Sequence, residues 1–464
     1  MTQGNRSVPR RATAAALCLA LAACALKDPP ERAELVKQAL GDAQPPAQWR
    51  GGASAQGAVA DGWLKTLNDP RLDALVDETL ARNVDLRIAA TRVEQAEASL
   101  RIAGSTLYPA VGLLVRRGGR MGGDGSGITG VALNAAWEID LWGRIRYGQR
   151  AASGDLASRQ ADFAYARQSL AALVARSWFV AAESALQGQV ARDMLAAAER
   201  LAELTRVRLR VGSANEQDVA LADANVQTYR DSLRQFELAR EQALRALELL
   251  AGRYPAATLP AAEVLPALPA AAPTGIPSEL LERRPDIVAA ERRVAAAFDR
   301  TEEARTARLP RISLVAGIAS IFSNLFILED RDNPSFSRGM GIFTPLFTGF
   351  ALEGQLELRT AEQKRAVAEY AATGLKAFNE VESALANEAA LGDRYAALSR
   401  LVAENERALK YSEIQYRIGK TDRSAVVNAQ LRLYSSRAEL VRMQAERLAQ
   451  RVALHLALGG NFSS

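Results

Sequence analysis

The chain copies itself once, and that repetition constrains its fold more than any local motif does. Residues 283–294 read RRPDIVAAERRV, and residues 83–93 read NVDLRIAATRV, a worn version of the same stretch. Setting Asp85 on Asp286 gives an offset of 201 residues, at which Arg92 meets Arg293, Val93 meets Val294 and Tyr108-Pro109 meets Leu309-Pro310. Later the offset is 207: Arg210-Val211-Gly212 falls on Arg417-Ile418-Gly419, and Leu249 and Gly252 fall on Leu456 and Gly459. A unit of roughly 200 residues is therefore present in tandem, and short insertions account for the drift.

The patterns within one unit predict its elements. From Leu72 to Gly104 apolar residues recur at helical spacing, and residues 83–85 offer a break. Tyr108-Pro109 stops that helix, because proline cannot continue the ladder and biases its predecessor away from it. Strands are expected at about 108–117 and 129–140. In the second, Val131, Leu133, Ala135, Trp137 and Ile139 alternate with Ala132, Asn134, Ala136 and Glu138, the period-two pattern of a strand with unlike faces. The intervening GGRMGGDGSG lacks the G-x-x-x-x-G-K-[ST] spacing of a phosphate cradle, and no helix starts after it. It is expected to be an exposed hairpin loop.

From Ile145 to Val211 no proline interrupts 67 residues, which predicts one helix about 100 Å long. Gly212 to Asn215 turns the chain. The return carries a heptad with Val219, Val226, Leu233, Arg240 and Leu247 at one seam position and Ala222, Tyr229, Phe236, Ala243 and Leu250 at the other. Arg240 is its exception. A Pro/Ala-rich stretch then runs to Pro277, and the second unit repeats the order: helix 278–307, strands 311–322 and 337–347, a long helix from Phe350 to Ile418, a turn at 419–421, and a return over 424–458.

Several function classes are excluded or weakened. The net charge is +5, and the first 23 residues hold three arginines and no acid, so the rest is near +2 without a basic block. That is no nucleic-acid footprint. The two cysteines, Cys18 and Cys24, both precede the repeats, and His455 is the single histidine, on an apolar helical run where a structural role is expected. No nucleophile, metal-ligand or phosphate-loop constellation supports an enzyme, and no cofactor or metal is expected. Carboxylate pairs on these helices read as i,i+4 surface pairs.

Residues 1–23 read as a bacterial export signal, with Arg10 and Arg11 followed by ATAAALCLALAA. At about 13 residues the apolar run is too short for a transmembrane helix. Leu21-Ala22-Ala23-Cys24 resembles the lipobox of bacterial lipoproteins, which implies cleavage before Cys24 and lipid on its sulfur, the only covalent addition expected. The competing reading is an ordinary secretory signal that contains a cysteine. Ala25, in place of Asp, favours the outer membrane by the same resemblance.

Two strands per unit give four per chain, too few to close a barrel, and open sheet edges are not viable in lipid. Three chains would supply twelve, an even number suited to an outer-membrane barrel. The expected fold class is mainly α with transmembrane β: a tandem-duplicated helix-strand-strand-long helix-helix unit. Its trimer would form a 12-stranded outer-membrane β-barrel continuous with a periplasmic α-helical barrel. The corresponding segments are a signal peptide 1–23, a lipid-anchored segment 24–70, repeats 71–252 and 277–460, and a linker 253–276.

RRPDIVAAE, the Tyr/Leu-Pro junctions, IDLWGR at 139–144, PLFTGF at 345–350 and YRIGKTDRSAVVNAQ at 416–430 resemble the TolC-like outer-membrane efflux family, and with the lipobox its OprM/NodT lipoprotein branch. The resemblance implies the exit duct of a tripartite efflux system, a homotrimer that works with a periplasmic adaptor and an inner-membrane pump of RND type. It also implies a periplasmic gate at the hairpin turns. Tyr416 then bonds across hairpins, with Arg417 and Asp422 as its partners. Where the family carries an acid this chain has Asn428, and Ala425 stands three residues earlier. Asp218 aligns with Ala425 and either supplies an acidic ring or simply caps its helix. Rival readings are a periplasmic adaptor lipoprotein, which ordinarily carries one hairpin, and a duct for type I protein secretion or metal export. Small molecules such as drugs lead.

Overall fold

The computed structural model describes residues 26–41, 43, 45–51, 57–116, 129–260, 263–322 and 335–463. The signal segment, Cys24 and the glycine-rich loop lie outside the described residues. In chain order the elements are α1 (Arg32–Leu40), α2 (Pro70–Arg82), α3 (Val84–Ser105), β1 (Ala110–Arg116), β2 (Thr129–Ile139), α4 (Arg144–Arg210), α5 (Glu216–Leu250), the short α6 (Leu280–Arg283), α7 (Pro285–Thr306), β3 (Arg311–Phe322), β4 (Ser335–Phe343), α8 (Ala351–Arg417) and α9 (Arg423–Ala457). Both long helices, α4 and α8, run 67 residues, and both return helices run 35. Contacts group the chain into two compact units, each drawn from both repeats: Met1–Gln44, Thr91–Ala161 and Val288–Thr373 form the first, and Pro45–Ala90, Asp162–Ile287 and Gly374–Ser464 the second.

The first unit holds one four-stranded antiparallel sheet in the order β1-β2-β3-β4, so β1 and β4 are its edges. The central pair joins the two repeats, with Ala135 opposite Ala316 and Leu133 opposite Ile318. Direct partners share a face, and the register lines up rows across the sheet. One face carries the rows Leu113–Leu133–Ile318–Phe336, Val111–Ala135–Ala316–Arg338, Trp137–Leu314–Met340 and Ile139–Ile312–Ile342. The opposite face carries the small and polar rows Gly112–Asn134–Gly317–Ser337 and Glu138–Ser313–Gly341 among rows of alanine, with Leu114, Val315 and Phe343 as the bulky apolar residues among its described side chains. No side chain of β4 is covered. The strand ends at Phe343 rather than at 347, because Pro345 has no N–H for the ladder. β1 begins at Ala110, one residue past Pro109.

The second unit has its core where α4 and the return helices meet α2. Trp178, Phe179, Leu72, Val76, Leu247, Leu448 and Val452 are buried there, spaced by alanines such as Ala171, Ala175 and Ala182 that let helices approach closely. Asp69 ties this core together. Its Oδ1 accepts from the backbone of Arg71 and Leu72 and caps α2, and its Oδ2 accepts the Trp178 Nε1–H at 2.9 Å.

The first helical pattern is two helices, broken at Asn83, and the second begins at Pro285 after a 3-10 turn at 277–279 and α6. The two breaks are the same joint. Asn83 Nδ2 donates to the Leu250 carbonyl, 2.9 Å, and its Oδ1 accepts from Leu86 N, 2.9 Å, so one amide serves the last turn of α5 and the first of α3. At the equivalent position Arg284 Nη1 donates to the Ala457 carbonyl at 3.2 Å. Arg284 is 1 % exposed. Its guanidinium also grips both oxygens of Asp286 (3.0 and 2.8 Å) and Glu380 Oε2 (2.6 Å), and faces the Tyr165 ring. Burial works against its charge, but the two carboxylates hold its pKa above the usual range.

The linker is pinned from both repeats. Glu248, which burial alone would raise, is held below the usual carboxylate range by the backbone N–H groups of Ala257, Thr258 and Leu259. Arg451 donates to the carbonyls of Pro269 and Ala270. The heptad exception Arg240 faces Glu263 of the linker at 3.8 Å, beside a cavity of about 680 Å³ also lined by Arg192 and Glu237.

His455 stacks on Trp63, ring centroids 5.8 Å apart, and burial followed by the nearby Arg451 pushes its pKa down to about 4. The unfolded chain takes up its proton near pH 6.5 and the folded chain does not, so stability should fall as pH drops from about 6.5 toward 4. The contribution is of order 3 kcal/mol. Denaturant titrations across that window should show a slope that His455→Phe removes; an unchanged slope would contradict the assignment.

Candidate functional site: the hairpin tips

Both hairpins turn in the same way. Gly212 and Gly419 adopt φ of 76° and 72°, a left-handed conformation that a Cβ would strain. Ser213 N then donates to Arg208 O (2.8 Å) and Gly212 N to Leu209 O (3.0 Å), and Lys420 N donates to Gln415 O (2.9 Å) and Gly419 N to Tyr416 O (3.0 Å). These are the paired bonds of the Schellman motif, and they close each long helix over its orphan carbonyls.

The return helices start differently. In the first hairpin Asn215 Oδ1 accepts from Asp218 N (2.9 Å) while Asp218 Oδ2 accepts from Asn215 N (3.0 Å), a reciprocal capping box. Asp218 is thus engaged in capping. In the second hairpin Ala425 replaces that acid, and Asp422 alone caps α9 through Ala425 N at 3.0 Å.

Asp422 has a second partner. Arg208 Nη1, at the end of α4, meets Asp422 Oδ2 at 3.1 Å, so an ion pair joins the first hairpin to the turn of the second. Arg206 forms a further pair with Asp223 across its own hairpin. Tyr416, Arg417 and Asn428 are exposed and make no side-chain hydrogen bond or ion pair among the described residues. Within one chain, therefore, Tyr416 reaches neither Arg417 nor Asp422. Arg208 escaped the sequence reading because 214 residues separate it from Asp422. Arg208 and Arg210 stand in the last turn of α4, where cations meet the negative end of the helix dipole. Among the described residues no group of three or more His, Cys, Asp or Glu could hold a metal ion.

The described chain begins two residues after Cys24, at the foot of β2. Leu26 lies where a Cβ on Gly143 would stand, 2.2 Å away, and Gly143 has φ of 79°, so only glycine gives Leu26 this seat. Lys27 N donates to the Tyr147 hydroxyl at 2.7 Å, and the Lys27 ammonium stands 3.9 Å from Glu302. Arg150 bridges Asp28 and Asp299, both at 3.3 Å. Burial, against the pull of Arg150, pushes Asp299 up to about 6, with Asp28 and Glu302 adding to the shift. The IDLWGR stretch thus has a physical role: Asp140 accepts from the backbone of Ile145 and Arg146 to start α4, Trp142 Nε1 donates to the Pro310 carbonyl, and Gly143 receives Leu26.

Residues 75–253 and 276–460 each match the family model described as outer membrane efflux protein. The pyoverdine export outer membrane protein OpmQ of Pseudomonas putida is 30 % identical over 99 % of this chain and 99 % of its own length. The probable efflux pump outer membrane protein TtgC of the same species is 32 % identical over 90 % of each chain. Among solved structures the outer-membrane channel OprN superposes with a TM-score of 0.80 at 27 % identity, covering 91 % of this chain and 98 % of that one.

Proposed function

This chain belongs to the outer membrane efflux protein family, and from that premise we propose that its four strands and two hairpins are one third of a trimeric exit duct. The protein is an outer-membrane efflux channel that spans into the periplasm, and it works with a periplasmic adaptor and an inner-membrane pump. In the proposed trimer three sheets join edge to edge, β4 of one chain beside β1 of the next, and close a 12-stranded barrel. The observation that carries this reading is the sheet itself, with one face of bulky apolar rows, an opposite face of mostly small and polar residues, and a free strand at each edge. A free edge is untenable in hydrocarbon, and closure by rotational symmetry removes it. The polar row at Asn134 and Ser337 lines the lumen, and the apolar rows meet lipid.

The hairpin tips form the gate. The Arg208–Asp422 pair joins hairpins within a chain, and Tyr416, Arg417 and Asn428, without a side-chain partner among the described residues, are available to the next one. Cys24 carries the lipid anchor, whose acyl chains add about 0.8 kcal/mol per buried methylene. The cargo class is small molecules such as drugs or toxic compounds, in line with the small molecule, pyoverdine, named in OpmQ's description, and the pump is of RND type.

Native mass spectrometry and single-channel recording in planar bilayers test the duct. A lipid-bearing trimer with small, sporadic conductance is expected; a stable monomer that never conducts would overturn the reading. Cys24→Ser should abolish palmitate labelling while trimers still assemble, since the barrel itself holds the membrane. Retained label in that variant would remove Cys24 as the anchor.

A further inference from the structure

The apolar face of the sheet has one irregular row. Val111, Ala135, Ala316 and Arg338 lie side by side across the four strands, and Arg338 is the one charged residue among the described side chains of that face. It is exposed and makes no hydrogen bond or ion pair among the described residues. A lipid-facing arginine costs about 2–4 kcal/mol at the bilayer midplane and about 0–1 kcal/mol near the interface, so an unpaired one calls for a partner.

The surroundings of Arg338 indicate which partner. The neighbouring rows are bulky, but the two residues next in the row after Arg338 are Ala316 and then Ala135, and a shallow trough of about 540 Å³ lies there, lined by these alanines, Trp137, Met340 and Arg338. A trough whose one charged lining residue is an arginine matches a molecule with a long hydrocarbon chain and an anionic head. Trp137, whose Nε1–H reaches the Leu107 carbonyl at 2.9 Å near the strand foot, marks the interfacial level where tryptophans collect. Arg338 stands one row further in, two residues or about 7 Å along the strand, within reach of a side chain that snorkels.

We propose that this trough binds one glycerophospholipid of the periplasmic leaflet, with its phosphate held by Arg338 and one acyl chain lying over Ala135 and Ala316. The proposal rests on the exit-duct reading, which turns this face toward lipid. Arg338 supplies two parallel N–H donors to the phosphate, a geometry that lysine cannot reproduce. The alanines leave the volume that the chain occupies.

The test compares wild type with Arg338→Leu, Arg338→Lys and Ala316→Leu, extracted as assembled trimers in mild detergent. Native mass spectrometry reads the phospholipid retained per chain, and a titration with phosphatidylglycerol follows delipidation. Wild type should retain about one phospholipid per chain. Arg338→Leu, which removes the phosphate contact, and Ala316→Leu, which fills the trough and keeps the charge, should each weaken retention about tenfold, with Arg338→Lys between. Equal retention in wild type and Arg338→Leu, or no phospholipid on wild type, would overturn the site. Arg338-dependent retention of lipid A instead would overturn its assignment to the periplasmic leaflet. Failure of the wild type to form a conducting trimer is a separate result, and it would remove the exit-duct reading on which the site rests.

Discussion

Arg284→Ala is expected to destabilise the protein by about 3–5 kcal/mol, the cost of stripping one partner from a buried ion pair. The guanidinium is enclosed and holds Asp286, Glu380 and the Ala457 carbonyl at once. Removing it strands two carboxylates against each other and leaves the last turn of α9 without its donor. Arg284→Met, of similar length, should cost nearly as much, because the loss is electrostatic rather than one of packing volume. Arg284→Lys should be intermediate, since an ammonium cannot chelate both oxygens of Asp286 and still reach Glu380. Combining Arg284→Met with Glu380→Leu and Asp286→Asn should restore much of the loss, because it removes the stranded charges too. Thermal unfolding in detergent, followed by helical circular dichroism, measures all four. A loss below about 1 kcal/mol for Arg284→Ala would show that the cluster is hydrated and weak.

Arg208→Glu should raise the open probability of the duct about tenfold. An exposed ion pair contributes only about 0.2–1 kcal/mol, and half of each partner is in solvent here. The proposed trimer, however, carries three copies, and reversal replaces attraction by repulsion with Asp422. The summed change is about 1–3 kcal/mol, and each 1.4 kcal/mol is tenfold in an equilibrium between closed and open tips. Asp422 needs a more careful substitution because it also caps α9. Asp422→Asn keeps a capping acceptor and removes the charge, so it should open the duct less than Arg208→Glu without loosening the helix. Asp422→Ala should do both. Raising the salt concentration should open wild type slightly and leave Asp422→Asn unmoved. Single-channel recordings of the three variants decide: open probabilities equal to wild type would mean that the Arg208 contact has no part in closure.

The elements that the sequence made legible are those whose signal is periodic. Alternation along β2 located a strand and both of its faces, and 67 residues without proline located α4. Signals that depend on one residue meeting another far along the chain did not show. The helical spacing continues past Asn83, so the break could only be offered there, and the expected helix 278–307 ran through Arg284 without revealing that it is a buried clamp. Asp218 was ambiguous because an N-x-x-D capping box and an acidic ring need the same residue, and the hydrogen bonds show the box. Arg208 and Asp422 belong to different repeats, and nothing local in RVRLR or KTDR distinguishes their pairing from solvated charge.

The seat of Leu26 on Gly143 implies an order of events. Gly143, Tyr147 and Arg150 come from the first copy, and Asp299 and Glu302 from the second. Residues 26–28, made early in synthesis, therefore wait for residues made near the two-thirds mark before all their partners exist. Until then this segment is tethered to a chain that cannot yet receive it, and its docking cannot precede the making of α7.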